Sequence, residues 1–474
     1  SPHSPESRMG KAGKLRKKRK LEVLMEQGES NVISEQRNDL LNSGISLSQE
    51  DFAICARVLK SLQNPSLWAS KEAKVVRYAL HCLGKGNGTI HTNGDNGIID
   101  GINSSLSTSI SDALHVGDWG IATELLGTWY TQHKHPPKLG SLCRWVRDCD
   151  ALATGRDEER CQALDAILRT CDPSSIAFIS KNSLDDPTLG DFSIPQAGEY
   201  YASSDSGTDW SPALEVANLP ASFQVCLHEK GPLRSPPNLY DLHIWSCPES
   251  FTAQLLKPAP VHGKATLVPV PFVPHACMLA NFMSAAECQR FITMAETVTF
   301  EADQPMGTGK DSVLAHVFCW TATQAFVDNL WERVQEVLPA AIMNAGAMGI
   351  NRRFRCYRYV PGAVYRPHID GAWPLSGLDS AGNYVYDAFP SVIWSKYTFL
   401  IYLNDGFSGG CTSFYAPSSE VGQLEKRGIK PSTGCALVFP HGDNIPGCMP
   451  SLHEGSPVLS GTKYVIRTEI VCKL

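Results

Sequence analysis

Long apolar runs are missing from this chain. Nowhere do about 18 consecutive apolar residues occur, so no helical membrane span is expected. The first residues are polar and lack the apolar stretch of a secretory signal, which predicts a chain that is not exported. Cysteine is plentiful, 16 in 474 residues, but no C-x-x-C pair and no regular spacing occurs. That pattern argues against a disulfide framework and predicts free thiols in an intracellular compartment, cytoplasmic or nuclear. Charge is also sparse. Charged residues make up 19% and the formal net charge is −6, so the surface as a whole is not built to coat nucleic acid. The local exception is KAGKLRKKRK at residues 11–20, a basic run without one acid. It reads as a nuclear address or as a tail that touches nucleic acid.

The hydrophobic fraction of 43% over this length supports two or three domains with sizeable cores. Residues 1–48 are polar and basic and are expected to be disordered. Residues 49–175 read as a helical accessory domain. Apolar spacing is helical over 48–62, 70–84, 111–132, 138–152 and 157–171, with Ser48 and Ser70 as N-caps. A Gly/Asn/Ser-rich insert at 84–110 interrupts it and reads as flexible. Residues 176–262 are rich in Pro, Ser and Asp and read as a linker with a few short strands. From 263 to 474 the pattern changes to two amphipathic helices, 284–298 and 323–339, and many short strands such as RRFRCYRYVPG, KYTFLIYLND and TKYVIRTEIVCKL. Close-spaced short strands point to a β-sandwich or barrel with helices outside, and the chain as a whole to the α+β class.

Within this last region, YRPHIDG at 365–371 places His368 and Asp370 two residues apart. On a strand, i and i+2 side chains face the same way. An imidazole and a carboxylate aimed together are two thirds of the facial triad that holds non-haem Fe(II) and leaves coordination positions open. Two downstream histidines compete for the third place, His441 in LVFPHGD and His453 in SLHEG, and spacing alone does not choose between them.

Four stretches, NFMSAAECQRFITMAE, RYVPGAVYRPHID, YTFLIYLNDGFSGGCTSFY and LHEGSPVLSGTKYV, resemble in order the catalytic domain of prolyl 4-hydroxylase-like Fe(II)/2-oxoglutarate dioxygenases, over about residues 270–474. The resemblance implies a double-stranded β-helix (jelly roll) with flanking helices. It selects His453 as the third ligand beside His368 and Asp370, because the family's distal histidine is followed closely by Pro-Val and then by Gly-x-Lys or Gly-x-Arg. It implies Fe(II) as cofactor, 2-oxoglutarate and O₂ as co-substrates and ascorbate as reductant. Lys463 falls at the family position that anchors the far carboxylate of 2-oxoglutarate. Arg467 shares its face of the strand about 13 Å away and offers the better bidentate fork, so it is the rival anchor. Tyr359 and Tyr402 match positions lining the same pocket. The long aromatic insert 371–396 reads either as a lid over substrate or as a surface elaboration.

The implied reaction is hydroxylation of a C–H bond with release of succinate and CO₂. A protein or peptide substrate is expected, with proline first. The basic N-terminal run keeps a nucleic-acid or nucleotide oxygenase as an alternative. A third reading is a scaffold or sensor that uses the oxygenase domain for binding.

Overall fold

The computed structural model describes residues 105–132, 137–149, 158–171, 191–193, 222–234, 237–256, 265–304, 315–442 and 449–474, with short pieces between 49 and 77. The expectations for the basic run at 11–20, for the rest of 1–48 and for most of the 84–110 insert fall outside these residues. Among the described residues no helix is long and apolar enough to cross a membrane, and the described cysteines are free thiols.

Four helices form a compact layer: α1 (Leu106–Val116), α2 (Trp119–Gln132), α3 (Leu139–Cys149) and α4 (Glu158–Arg169). The sequence pattern runs unbroken through 111–132, yet the helix breaks between α1 and α2. Gly117 sits there at φ 80 as a left-handed cap whose N–H closes back on the Ala113 carbonyl, a conformation that favours glycine. α1 also begins inside the expected insert, because the Ser105 side chain accepts from the Thr108 N–H and so starts the helix earlier. Leu114, Leu126, Leu142, Trp145, Leu164 and Leu168 close its core.

The remainder is built mainly on two sheets, with two further two-stranded pairs. The larger contains β1 (Gln224–Glu229), β2 (Leu242–Ser246), β3 (Thr266–Pro269), β4 (Cys277–Ala280), β5 (His316–Thr321) and β6 (Arg353–Tyr359). After β7 (Tyr365–His368), which belongs to the smaller sheet, it takes up β8 (Ile393–Tyr402). The next strands are β9 (Thr412–Pro417), β10 (Leu424–Ile429), β11 (Ala436–Pro440), β12 (His453–Gly455) and β13 (Lys463–Lys473). The larger sheet runs β1-β2-β5-β6-β13-β8-β11-β4-β3, with Ala347–Ile350 also pairing on β13; the smaller runs β10-β9-β12-β7. This is the jelly-roll arrangement of an α+β chain. Two of its strands, β1 and β2, come from within 176–262, so the large sheet begins upstream of residue 263.

On its outer face the large sheet is covered by α5 (Ala285–Val298) and α6 (Gln324–Glu332). α5 starts where Ser284 and Glu287 cap each other reciprocally. Glu287 is fully buried and meets Arg333 at 2.8 Å, so its charge is not left unpaired. Trp320, Phe326 and Phe354 pack edge to face, and Phe291 meets Trp320 at a tilt, where these helices rest on the sheet. Between the two sheets Phe414 of β9 meets Phe439 of β11 with ring centroids 5.2 Å apart.

The helical layer docks on the smaller sheet, α3 against β7 and α4 against β9. Alternation explains the docking. Ile369, between His368 and Asp370, turns away from them and joins the core of the helical layer with Tyr415, Met449 and Leu452. Arg169 donates to the Ser418 carbonyl at 2.9 Å, and the Gly422 N–H donates to Asp165 at 2.8 Å. Trp145 is fully buried and donates its indole N–H to Ser111 at 2.9 Å. Trp145→Ala should therefore cost about 3–5 kcal/mol, read as a lower denaturation midpoint in chemical unfolding; an unchanged midpoint would mean that the helical core contributes little.

Candidate active site

His368 ends β7 and His453 begins β12, and the two strands pair antiparallel with these residues directly opposite. Opposed residues of antiparallel strands share a face, so both imidazoles point the same way. Their ring centroids are 4.2 Å apart. Asp370 joins them, with its carboxylate oxygens 3.5 Å from His368 Nε2 and 3.7 Å from His453 Nε2. The three donor atoms lie within 4.8 Å of one another.

The state of each donor follows from its surroundings. Nδ1 of His368 donates to the Arg366 carbonyl at 2.7 Å, and Nδ1 of His453 donates to the Ser451 carbonyl at 2.8 Å. A carbonyl only accepts, so the ring proton sits on Nδ1 and the Nε2 lone pair faces the shared point. Burial, followed by the charge of His368, pushes the pKa of His453 down to about 3, which keeps this ring neutral. Asp370 is 6% exposed. Burial works to raise its pKa, but the Arg467 guanidinium is the largest opposing influence and the carboxyl is held well below the usual carboxylate range. Arg467 Nη2 is 2.9 Å from Asp370 Oδ1, and Thr398 donates to Oδ2 at 2.6 Å. Two neutral nitrogens and one ionised oxygen are a donor set that fits Fe(II).

His441 does not converge with these groups. It is buried after β11, with Nδ1 3.5 Å from Ser395 Oγ. The next residue, Gly442, donates to the Asp370 carbonyl at 3.1 Å. A Cβ at Gly442 would stand 2.4 Å from Ile369 and 2.8 Å from Leu139, so PHG serves the close packing of the Asp370 loop.

Beside the triad lies a cleft of about 410 Å³, lined among others by Tyr357, Tyr359, Tyr365, Lys463 and Arg467. Lys463 pairs with Tyr359 across the strands. It is 2% exposed, donates to the Gly410 carbonyl at 2.6 Å, and lies 5.2 Å from the Tyr359 ring and 5.8 Å from the Tyr402 ring. Burial pushes its pKa down to about 8. Tyr402 stands behind the cleft wall, hydrogen-bonded to Thr412 at 2.8 Å. Arg467, the rival anchor, is engaged by Asp370. The insert 371–396 contributes none of the cleft-lining residues. It is tied instead to Asn351, which donates to the Pro374 carbonyl at 3.1 Å, and to Arg353, whose guanidinium lies 3.8 Å from the Trp373 ring.

Sequence reasoning did not find Thr398 or the pairing of Arg467 with Asp370. Alternation along β8 carried a signal for the first, since Thr398 shares a face with Tyr402. The second needed the tertiary fold.

A largely buried triad of this kind, opening on a cleft with a buried cation, is an arrangement that could hold a non-haem iron. Residues 354–468 match the family model of the 2OG-Fe(II) oxygenase superfamily, in keeping with the sequence resemblance. That family uses Fe(II), 2-oxoglutarate and O₂. No curated protein matches the sequence. Similar solved structures include a viral collagen prolyl hydroxylase from Paramecium Bursaria Chlorella virus-1, at 20% identity and TM-score 0.28, covering 42% of this chain and 96% of that one. Another is a Pseudomonas putida prolyl-4-hydroxylase, at 16% identity and TM-score 0.25, covering 41% and 91%.

Titration calorimetry with Mn(II) in place of iron should lose binding by about a hundredfold or more in His368→Ala, Asp370→Ala or His453→Ala, whereas His441→Asn should retain it. Lys463 makes a second expectation. Its protonated form attracts a carboxylate, so 2-oxoglutarate KM should rise as pH climbs through about 8 and stay flat over that range in Lys463→Arg. A pH-independent KM in the parent would exclude Lys463 as the anchor.

Proposed function

We propose that this protein is a prolyl 4-hydroxylase-like dioxygenase that hydroxylates a C–H bond on a protein or peptide residue, with proline first. The observation that carries the reading is the convergence of His368, Asp370 and His453 at the mouth of a cleft walled by Tyr357, Tyr359 and Tyr365. Tyrosine walls suit an extended, proline-bearing peptide, whose rings pack on aromatic faces at little cost in conformational entropy.

In this reading His368, Asp370 and His453 hold Fe(II). The bound metal, with 2-oxoglutarate and O₂, supplies the oxidising chemistry that yields hydroxylated product, succinate and CO₂, with ascorbate as reductant. The protein's own residues do the positioning. Lys463 takes the far carboxylate of 2-oxoglutarate while the Tyr359 and Tyr402 rings exclude water around it. Arg467 keeps Asp370 ionised and fixed, so its role is toward the metal ligand. The Nδ1 bonds of both histidines fix their tautomers. Residues 49–175 are a helical accessory unit and 263–474 the oxygenase domain, with 176–262 adding two strands to its sheet.

A nucleic-acid substrate has one feature in its favour, the basic run at 11–20, which lies outside the described residues. A scaffold or sensor role would leave the triad unused for turnover. Succinate release measured with proline-containing peptides, with oligonucleotides and with neither separates the three. Peptide should stimulate release, and His368→Ala should bring it to background. Stimulation by oligonucleotide alone, or partner capture that survives His368→Ala with no turnover in the parent, would replace this reading.

A further inference from the structure

Three arginines crowd the metal side of the large sheet, but only two have acids. Arg353 meets Glu469 at 2.9 Å and Arg467 meets Asp370 at 2.9 Å. Arg355, half-buried on β6 two residues from Arg353 and opposite Arg467, makes no ion pair with any carboxylate among the described residues. Asp303, the acid whose charge reaches the neighbouring Tyr365, is already engaged by Arg234 at 2.9 Å and Asn238 at 2.6 Å.

The register fixes where Arg355 stands. Lys463 lies opposite Tyr359, Val465 opposite Tyr357, and Arg467 opposite Arg355. Along the strands, Lys463 marks the deep end of the cleft and Arg467 the level of Asp370, so Arg355 stands at the level of the triad. Alternation gives it the same face as Tyr357 and Tyr359, which line the cleft. From there the sheet continues laterally to β5 and β2.

Its neighbour has a matching deficit. Tyr357 is 3% exposed, and its hydroxyl lacks a hydrogen-bond partner. The Arg355 guanidinium acts on this phenol directly. Guanidinium has donors and no acceptor, so it cannot take the phenolic proton's bond. The phenol oxygen can accept one guanidinium N–H, which leaves the phenolic proton and the other guanidinium N–H groups waiting for an acceptor. Leaving such groups unmet is costly, and an anionic oxygen meets both at once.

We infer that Arg355 and Tyr357 form a receptor for an anionic group of the substrate, an acidic or phosphorylated residue close to the one that is oxidised. The inference rests on the reading of the protein as a peptide oxygenase. Cofactor charge does not claim the receptor, because Lys463 is the buried cation at the far end of the cleft. A peptide fits better than a nucleic acid, since one free guanidinium among tyrosines is not the basic stripe that tracks a phosphate backbone.

The test is a binding experiment that does not depend on turnover. The full-length protein is loaded with Mn(II) and N-oxalylglycine, an inert stand-in for 2-oxoglutarate, and offered a library of short proline-containing peptides. Peptides with Asp, Glu or phosphoserine near the proline should be retained about tenfold more tightly than their Asn, Gln or Ser counterparts. Arg355→Gln should erase that preference, Arg355→Lys should restore part of it, and Tyr357→Phe should weaken it. The Glu and phosphoserine arms tell a carboxylate from a phosphoryl receptor. Several results would overturn the inference: no acidic preference in the parent, an equal loss for acidic and neutral peptides in Arg355→Gln, loss of N-oxalylglycine affinity in its place, or stronger Arg355-dependent capture of an oligonucleotide. Acidic preference without succinate release from any peptide would sink the proposed reaction and leave the receptor standing.

Discussion

Asp370 is a charge held where water is scarce, and the site depends on how that charge is kept. An isolated carboxylate in such a place would take up a proton and lose its value as a ligand. Arg467 and Thr398 each hold one of its oxygens. Arg467 is itself half-buried among other charges. Glu469 bridges it to Arg353, and Asn351 donates to the other oxygen of Glu469 at 3.1 Å. Paired charges of this kind are not strong evidence of net stability, but removing one member leaves its partner exposed to the full desolvation cost. The series Asp370, Arg467, Glu469, Arg353 therefore has to stand or fall as a unit.

That unit ties distant parts of the sequence to one ligand. Asn351 receives the Ser376 N–H at 3.1 Å, and the Ser376 hydroxyl lies 2.9 Å from the Tyr384 hydroxyl. The aromatic insert 371–396 is thus fastened to the network behind Asp370, which explains why its tryptophan, tyrosine and proline residues occur together although none lines the cleft. From the other side, the helical layer grips Ile369. Neighbouring residues on one short stretch serve opposite tasks, two facing the point shared with His453 and one anchoring the stretch in an apolar core. A helical accessory layer placed this way makes the orientation of the ligands depend on packing far upstream in sequence.

How much of this could be read beforehand varies with the physics of each feature. The strands from 353 onward and the capped helix at 285–298 follow from local patterns, alternation in one case and a reciprocal cap in the other. Gly117 was a local signal too, but the apolar periodicity on both sides hid it. β1 and β2 were hard to read because a short strand at a sheet edge becomes a strand by pairing, and its partner β5 lies far along the sequence. His368 and Asp370 were legible together because two-residue spacing has a fixed meaning on a strand. The choice of His453 over His441 came from resemblance, and the geometric reason is the register between β7 and β12, which no local pattern carries.

The sequence by itself determined the donor types, the alternation that sets His368 and Asp370 side by side, and the two cations on one face of β13. Only the tertiary structure decided which cation serves which acid. Lys463 and Arg467 share a face of one strand and look equivalent in sequence. Their partners, Gly410 and the tyrosines for one and Asp370 for the other, arrive from different strands. The same holds for Arg355, whose lack of an acid is a property of everything folded around it. Charge pairing acts over a few ångströms in space, while residue order constrains only what lies next along the backbone.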